Sequence, residues 1–291
     1  MKRILKEVWR LIYPVLIYFA VAFVVQYGAV FLIMSIAVKN GTLIVSGNVN
    51  DYQNQLAKLI NSYSLQITAA TNFVLMPIFA LLLRGDNKKR QCTQGFSYRL
   101  PGLKNLLLMV ALGMTAAVSV NAVVSLSGLA YFSPKYQQVS QIIYSGGLFM
   151  QIVSAVIAAP ILEELLFRGM IYARLRDLCG AKWAIIISAA FFGIFHGNLV
   201  QFVYAFIIGL MLAYVYEKMK TIWAPIMFHV GANLLSVLIT ELLPQSFSNI
   251  FVILAAMAVC MVLTVFLLRY VKGYNAGIQP AQNNMEDLYE K

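Results

Sequence analysis

Crossing a hydrocarbon core takes about 20 consecutive apolar residues, and this chain has eight apolar runs near or above that length. They cover residues 11–38, 64–84, 102–126, 146–173, 183–198, 199–217, 222–243 and 248–269. In lipid, each backbone amide must find its partner inside the protein, which turns such runs into helices. The expected fold is therefore all-α, a polytopic membrane bundle of about eight transmembrane helices. Composition agrees: only 11% of residues are charged, against roughly a quarter in soluble domains. The fifth and sixth runs abut at Gly197, Asn198 and Leu199, so a tight turn is expected there.

The basic residues give an orientation. With the N-terminus in the cytoplasm, 18 of the 22 Lys and Arg residues fall in inner segments; the outer segments hold only Lys39, Lys58 and Lys135, and Arg168 lies within a helix. Cytoplasmic loops concentrate Lys and Arg in this way, so both termini are expected inside. Trp9, Trp183 and Trp223 lie near inner boundaries, where the amphipathic indole is enriched. The net charge of +11 is thereby explained by lipid orientation, and nucleic acid is not an expected partner. The opening MKRILKEVWR is basic like a signal peptide, but the apolar run behind it is too long for one, so a retained first helix is expected. Cys92, Cys179 and Cys260 show no metal or redox spacing. Residues 39–63 form the longest outer loop, in which Tyr52, Leu56, Leu59, Ile60 and Tyr63 recur at helical spacing, as in a surface-lying or capping helix. The tail 273–291 is polar and aperiodic and is expected to be disordered.

An ionisable side chain inside a spanning helix costs a few kcal/mol even on lenient scales, and normally faces the bundle interior for a functional reason. Here such residues gather in three places: Pro160-Ile-Leu-Glu163-Glu164-Leu-Leu-Phe-Arg168, Phe192-Gly-Ile-Phe-His196, and His229-Val-Gly-Ala-Asn233. Glu164 and Arg168 are four apart, acid first, and are expected to pair. Glu163 is rotated by about 100° from Glu164 and lacks that neutralising partner, the placement of a general base. His196 and His229 are the only histidines in the chain. By helical rise they lie about 20 Å and 13 Å from the inner boundaries at Lys182 and Lys220. Glu163 reaches a matching depth of about 17 Å only if its helix continues to Arg174. Pro160 removes one helical donor and is expected to free the carbonyl of Val156. Gly193 and Gly197 are spaced to let another helix approach.

HExxH, GxSxG and paired intramembrane aspartates are absent, so the zinc, serine and aspartyl signatures lose support. The remaining chemistry is water activated by Glu163 with a histidine, the other histidine and Asn233 stabilising an oxyanion. A catalytic zinc on Glu163, His196 and His229 stays open as the alternative, because two histidines and a glutamate form a known ligand set. A non-hydrolytic immunity or regulatory scaffold is a second alternative, and a proton-coupled carrier a third.

At these residues the chain resembles the CAAX protease and bacteriocin-processing family, also called type II CAAX prenyl endopeptidase-like or Abi proteins. The family motifs EExxxR, FxxxH and HxxxN match Glu163-Glu164-x-x-x-Arg168, Phe192-x-x-x-His196 and His229-x-x-x-Asn233. The resemblance covers about residues 145–245. It implies that Glu163 and His196 activate the water, that His229 and Asn233 form the oxyanion hole, and that Glu164 and Arg168 hold the architecture. The expected organisation is then helices and loops over 1–144, a catalytic core over 145–245, a final helix over 246–272 and the tail. The expected protein is an intramembrane endopeptidase of a bacterial cell membrane, acting without a preferred cofactor on a peptide or membrane-protein substrate. A cavity opening to the cytoplasm would suit a terminus delivered from that side.

Overall fold

The computed structural model describes residues 2–44, 49–94, 96–97, 99–242 and 249–274. They form an all-α bundle of α1 (Lys2–Lys39), α2 (Val49–Ser62), α3 (Ser64–Gln94), α4 (Leu103–Ser127) and α5 (Pro134–Ser145), then a helical run Leu148–Phe195, and α8 (Leu199–Met219), α9 (Trp223–Leu242) and α10 (Ile250–Gly273). Among the described residues seven helices are long and apolar enough to span a membrane. The run Leu148–Phe195 is one of the seven, yet it holds a residue outside helical geometry, Gly180 at φ 77°, ψ 169°. In a straight helix Phe167 and Phe192 would stand about 38 Å apart. Their ring centroids are 5.1 Å apart. The run therefore folds back at Gly180 into two antiparallel arms, α6 (148–179) and α7 (181–195), and the eight apolar runs of the sequence are eight helical segments.

Close backbone contact fixes the middle of the bundle. A Cβ on Gly113 of α4 would sit 1.8 Å from the Phe228 carbonyl oxygen, and one on Gly231 of α9 2.3 Å from that of Val110. With little hydrophobic drive between helices in lipid, small residues at such crossings provide the van der Waals contact that holds them. By contrast α1 and α10 stand outside, with side chains such as Phe31 and Phe266 exposed for lipid.

The end of the bundle that carries the basic residues is closed. Glu217 accepts from Arg176, Lys220 and the Tyr172 hydroxyl, Phe96 stacks on Tyr216, and Arg174 pairs with Asp86 at 2.7 Å. At the other end α2 realises the helical spacing seen in residues 39–63; none of its residues is fully buried. The short helix α5 and the 3-10 turn Leu129–Phe132 were not anticipated. The tail beyond Tyr274 and the side chain of Cys92 lie outside the described residues.

Candidate active site

Glu163 and Glu164 sit on a short α-helical stretch, Ala159–Glu164, between two π-helical stretches, Ile152–Ala158 and Leu165–Tyr172. A π turn bonds residue i to i+5, and such turns occur frequently at functional sites. This register adds to the expectation that Pro160 frees the carbonyl of Val156. With the neighbouring Ala159 N–H reaching Ser154, the missing N–H of Pro160 also leaves the Ala155 carbonyl without a helical donor. The Asn233 side-chain amide, from α9, donates to the Ala155 oxygen at 2.8 Å. Asn233 thus repairs a break that Pro160 makes in another helix, and keeps one amide N–H uncommitted.

The expected pair is present: Arg168 Nη1 lies 2.8 Å from Glu164 Oε1, and both side chains have no exposure. Arg168 also donates to the Gly209 carbonyl and lies over the Phe192 ring, 4.4 Å from its centroid. This burial requires α6 to run past Arg168 toward the basic end, as the depth argument demanded. Glu164 does more than pair, because its Oε1 is also 2.9 Å from His229 Nδ1. A carboxylate held by Arg168 is an acceptor, so His229 Nδ1 carries the proton and its Nε2 faces Glu163 Oε2 at 3.8 Å. Sequence spacing pairs Glu164 with Arg168 but contains no sign of the third partner, which lies 65 residues away.

His196 closes α7. Its Nδ1 is 2.8 Å from the Phe192 carbonyl, which only accepts, so its Nε2 is a free acceptor. Phe192 lies edge-on against both imidazoles, with centroids 4.9 Å from His196 and 5.7 Å from His229. Gly193 does permit close approach, since a Cβ there would meet Phe202 at 2.9 Å. Gly197 has a different task from the one expected of it: at φ 72° it makes the turn into α8, a conformation glycine adopts without steric cost. Asn198 caps α8 by accepting from the Gln201 N–H.

Glu163, His196, His229 and Asn233 all line one cavity of about 860 Å3. Glu163 Oε2 is buried without a hydrogen-bond partner. Tyr204, Tyr136 and Tyr144 also line this cavity; the sequence reading missed them, because tyrosines at helix ends carry no spacing signal. Among the described residues no three His, Cys, Asp or Glu side chains are gathered closely enough to hold a metal ion. The arrangement described here therefore does not fit a three-ligand zinc site built on Glu163, His196 and His229, although both imidazoles have the anchored Nδ1 typical of metal ligands.

A carboxylate with a free oxygen, two oriented imidazoles and an amide thus surround one cavity in a membrane bundle. Comparison with known proteins finds matches to the segment that carries them. Residues 145–235 match the family model described as type II CAAX prenyl endopeptidase Rce1-like. Over 84 residues the chain is 34% identical to "Putative membrane peptidase YdiL" of Bacillus subtilis (strain 168); the match covers 29% of this chain and 34% of that relative. No solved structure gives a significant match. The chain spans about a third of the length of this relative, and both matches fall on the similarity to CAAX proteases that the three motifs carry.

Proposed function

We propose that the chain is an intramembrane endopeptidase that hydrolyses a peptide bond of a membrane-associated peptide or protein, in a bacterial cell membrane, with water activated by Glu163. The observation that carries this reading is the unpartnered Glu163 Oε2, set in the cavity beside His229 Nε2. A carboxylate base takes a proton from water as the oxygen attacks the carbonyl carbon, and returns it to the departing amine when the tetrahedral intermediate collapses. His196, with Nδ1 committed to Phe192, has Nε2 free to accept from the same water and orient it. On the other side of the carbonyl, the spare N–H of Asn233 and His229 Nε2 are the oxyanion donors. To donate from Nε2 while Nδ1 donates to Glu164, His229 must carry both protons, and the adjacent Glu163 and Glu164 supply the compensating charge. Removing one oxyanion donor typically costs about 10²–10³ in rate.

The zinc-dependent form of the same protease draws on the anchored imidazoles but requires the three donors to move together. The test is cleavage of a membrane-tethered peptide library by purified protein in bilayers, beside Glu163→Gln and with a chelator. Loss of cleavage in the variant with survival under chelation is expected. Loss under chelation restored by zinc would transfer the water to a metal, and folded protein that cleaves nothing would leave the non-catalytic immunity or regulatory scaffold.

A further inference from the structure

The catalytic cavity is confined to one half of the bundle. Its walls come from the C-terminal halves of α4 and α9 (Ser125, Thr240), the start of α8 (Gln201), the end of α7 (His196), the start of α10 (Val252) and the first turns of α6 (Ala155). These are the helix ends that meet the sparsely basic side. The opposite end is sealed by the Glu217 cluster and the Phe96–Tyr216 stack. On the orientation that the Lys and Arg residues lead one to expect, with both termini in the cytoplasm, this half of the bundle is the one that faces away from the cytoplasm, whereas the sequence reading had the cavity open toward it.

One element covers this side. Tyr136, Val139, Ser140, Ile143 and Tyr144 of α5 line the cavity, an i, i+3, i+4, i+7, i+8 set that forms one helix face. Its other residues, such as Gln138 and Gln141, are exposed, and none in the helix is fully buried. The segment carrying α5 is bounded by Gly128 (φ 70°) and Gly147 (φ 75°). Few buried contacts between permissive glycines mark the low-stability end of a fold. Burial pushes the Tyr144 hydroxyl above its ordinary value despite a hydrogen bond with Thr240, so the face α5 turns inward is uncharged. No Lys or Arg is among the described lining residues, and alanines such as Ala117, Ala159 and Ala232 are the most frequent residue of the walls.

Resting on the peptidase reading, we infer that the substrate is an apolar, extended segment presented on the non-cytoplasmic side and admitted to Glu163 by displacement of α5. The first arm of the test is independent of catalysis. In full-length protein with Cys92, Cys179 and Cys260 changed to Ser, single cysteines are placed by Gln138→Cys on the outer face of α5, Ser140→Cys on its cavity face, and Lys218→Cys at the sealed end. Intact cells treated with a membrane-impermeant maleimide should label Gln138→Cys and Ser140→Cys, and Lys218→Cys only after permeabilisation. The reverse pattern overturns the assignment of the face. The second arm tethers one apolar reporter on either side of the membrane and repeats cleavage after alkylation. Cleavage of the outer reporter alone, blocked by a bulky maleimide at Ser140→Cys but not at Gln138→Cys, is expected. Cleavage unaffected by both adducts overturns the role of α5. Outward labelling without cleavage of either reporter refutes the peptidase reading while the face stands.

Discussion

The bond from Asn233 to Ala155 makes a quantitative prediction about which role the amide plays. Changing Asn233→Leu keeps the volume but removes the donor, so the Ala155 carbonyl, already deprived of its helical N–H by Pro160, is left alone. An ordinary interhelical hydrogen bond in a membrane protein is worth about 0.6 kcal/mol on average. Orphaning a buried polar group costs about 1–3 kcal/mol, a change of about five- to 150-fold in the folded-to-unfolded ratio. In a Pro160→Ala background, residue 160 regains an N–H that in the π register points at Ala155, so Asn233→Leu should there cost no more than the ordinary bond. Denaturant titration of the four proteins in bicelles measures the coupling directly. An equal cost with and without Pro160 refutes the claim that Asn233 repairs the break, and with it the π register on which that claim stands. Cleavage rates of the same four proteins separate stability from chemistry. If Asn233 also donates to the oxyanion, activity stays low in the double variant although stability returns.

Glu163→Gln should lower cleavage by about 10²-fold or more with little loss of unfolding midpoint, because Glu163 Oε2 accepts no hydrogen bond and faces His229 only at 3.8 Å; an unchanged rate removes it from the reaction. Arg168→Met, which strands Glu164 in a site without exposure, should destabilise by about 3–5 kcal/mol, and the double variant with Glu164→Gln should recover part of this in the same titration. Recovery of nothing would mean that His229, not Arg168, is the partner that matters to Glu164. Gly113→Ala drives a methyl into the Phe228 carbonyl and should cost about 1–3 kcal/mol or more, read as loss of folded protein extracted from membranes. Wild-type yield would disprove the close α4–α9 crossing.

The helices and the principal polar positions were legible because lipid makes them so. Long apolar runs have few alternatives, and Glu163, Glu164, Arg168, His196, His229 and Asn233 stand out as residues in the wrong solvent. Glu164 and Arg168 were also legible as a pair, since four residues on one helix leave little choice. What they meet across helices was not legible. His229 reaching Glu164 depends on the packing of α9 against α6, and Asn233 reaching Ala155 depends on a π register that no residue preference announces. Pro160 was read as a break that frees the Val156 carbonyl; that the Ala155 carbonyl is freed as well follows from a π register that the sequence does not announce. The cover helix α5 was missed for a simpler reason: its twelve residues are too few and too polar to stand out beside runs long enough to span a membrane.

The arm α7 also has a mechanical consequence. From Trp183 at the basic end to His196, thirteen residues rise about 20 Å, whereas the hydrocarbon core is about 30 Å thick. The turn at His196–Asn198 thus lies about 10 Å short of the far surface, beside the hydrogen-bonded polar chain Asn198, Gln201 and Tyr204. A hydrophobic arm shorter than the bilayer is accommodated by local thinning of the lipid, which would bring headgroups and water nearer to the end of α7 that carries His196.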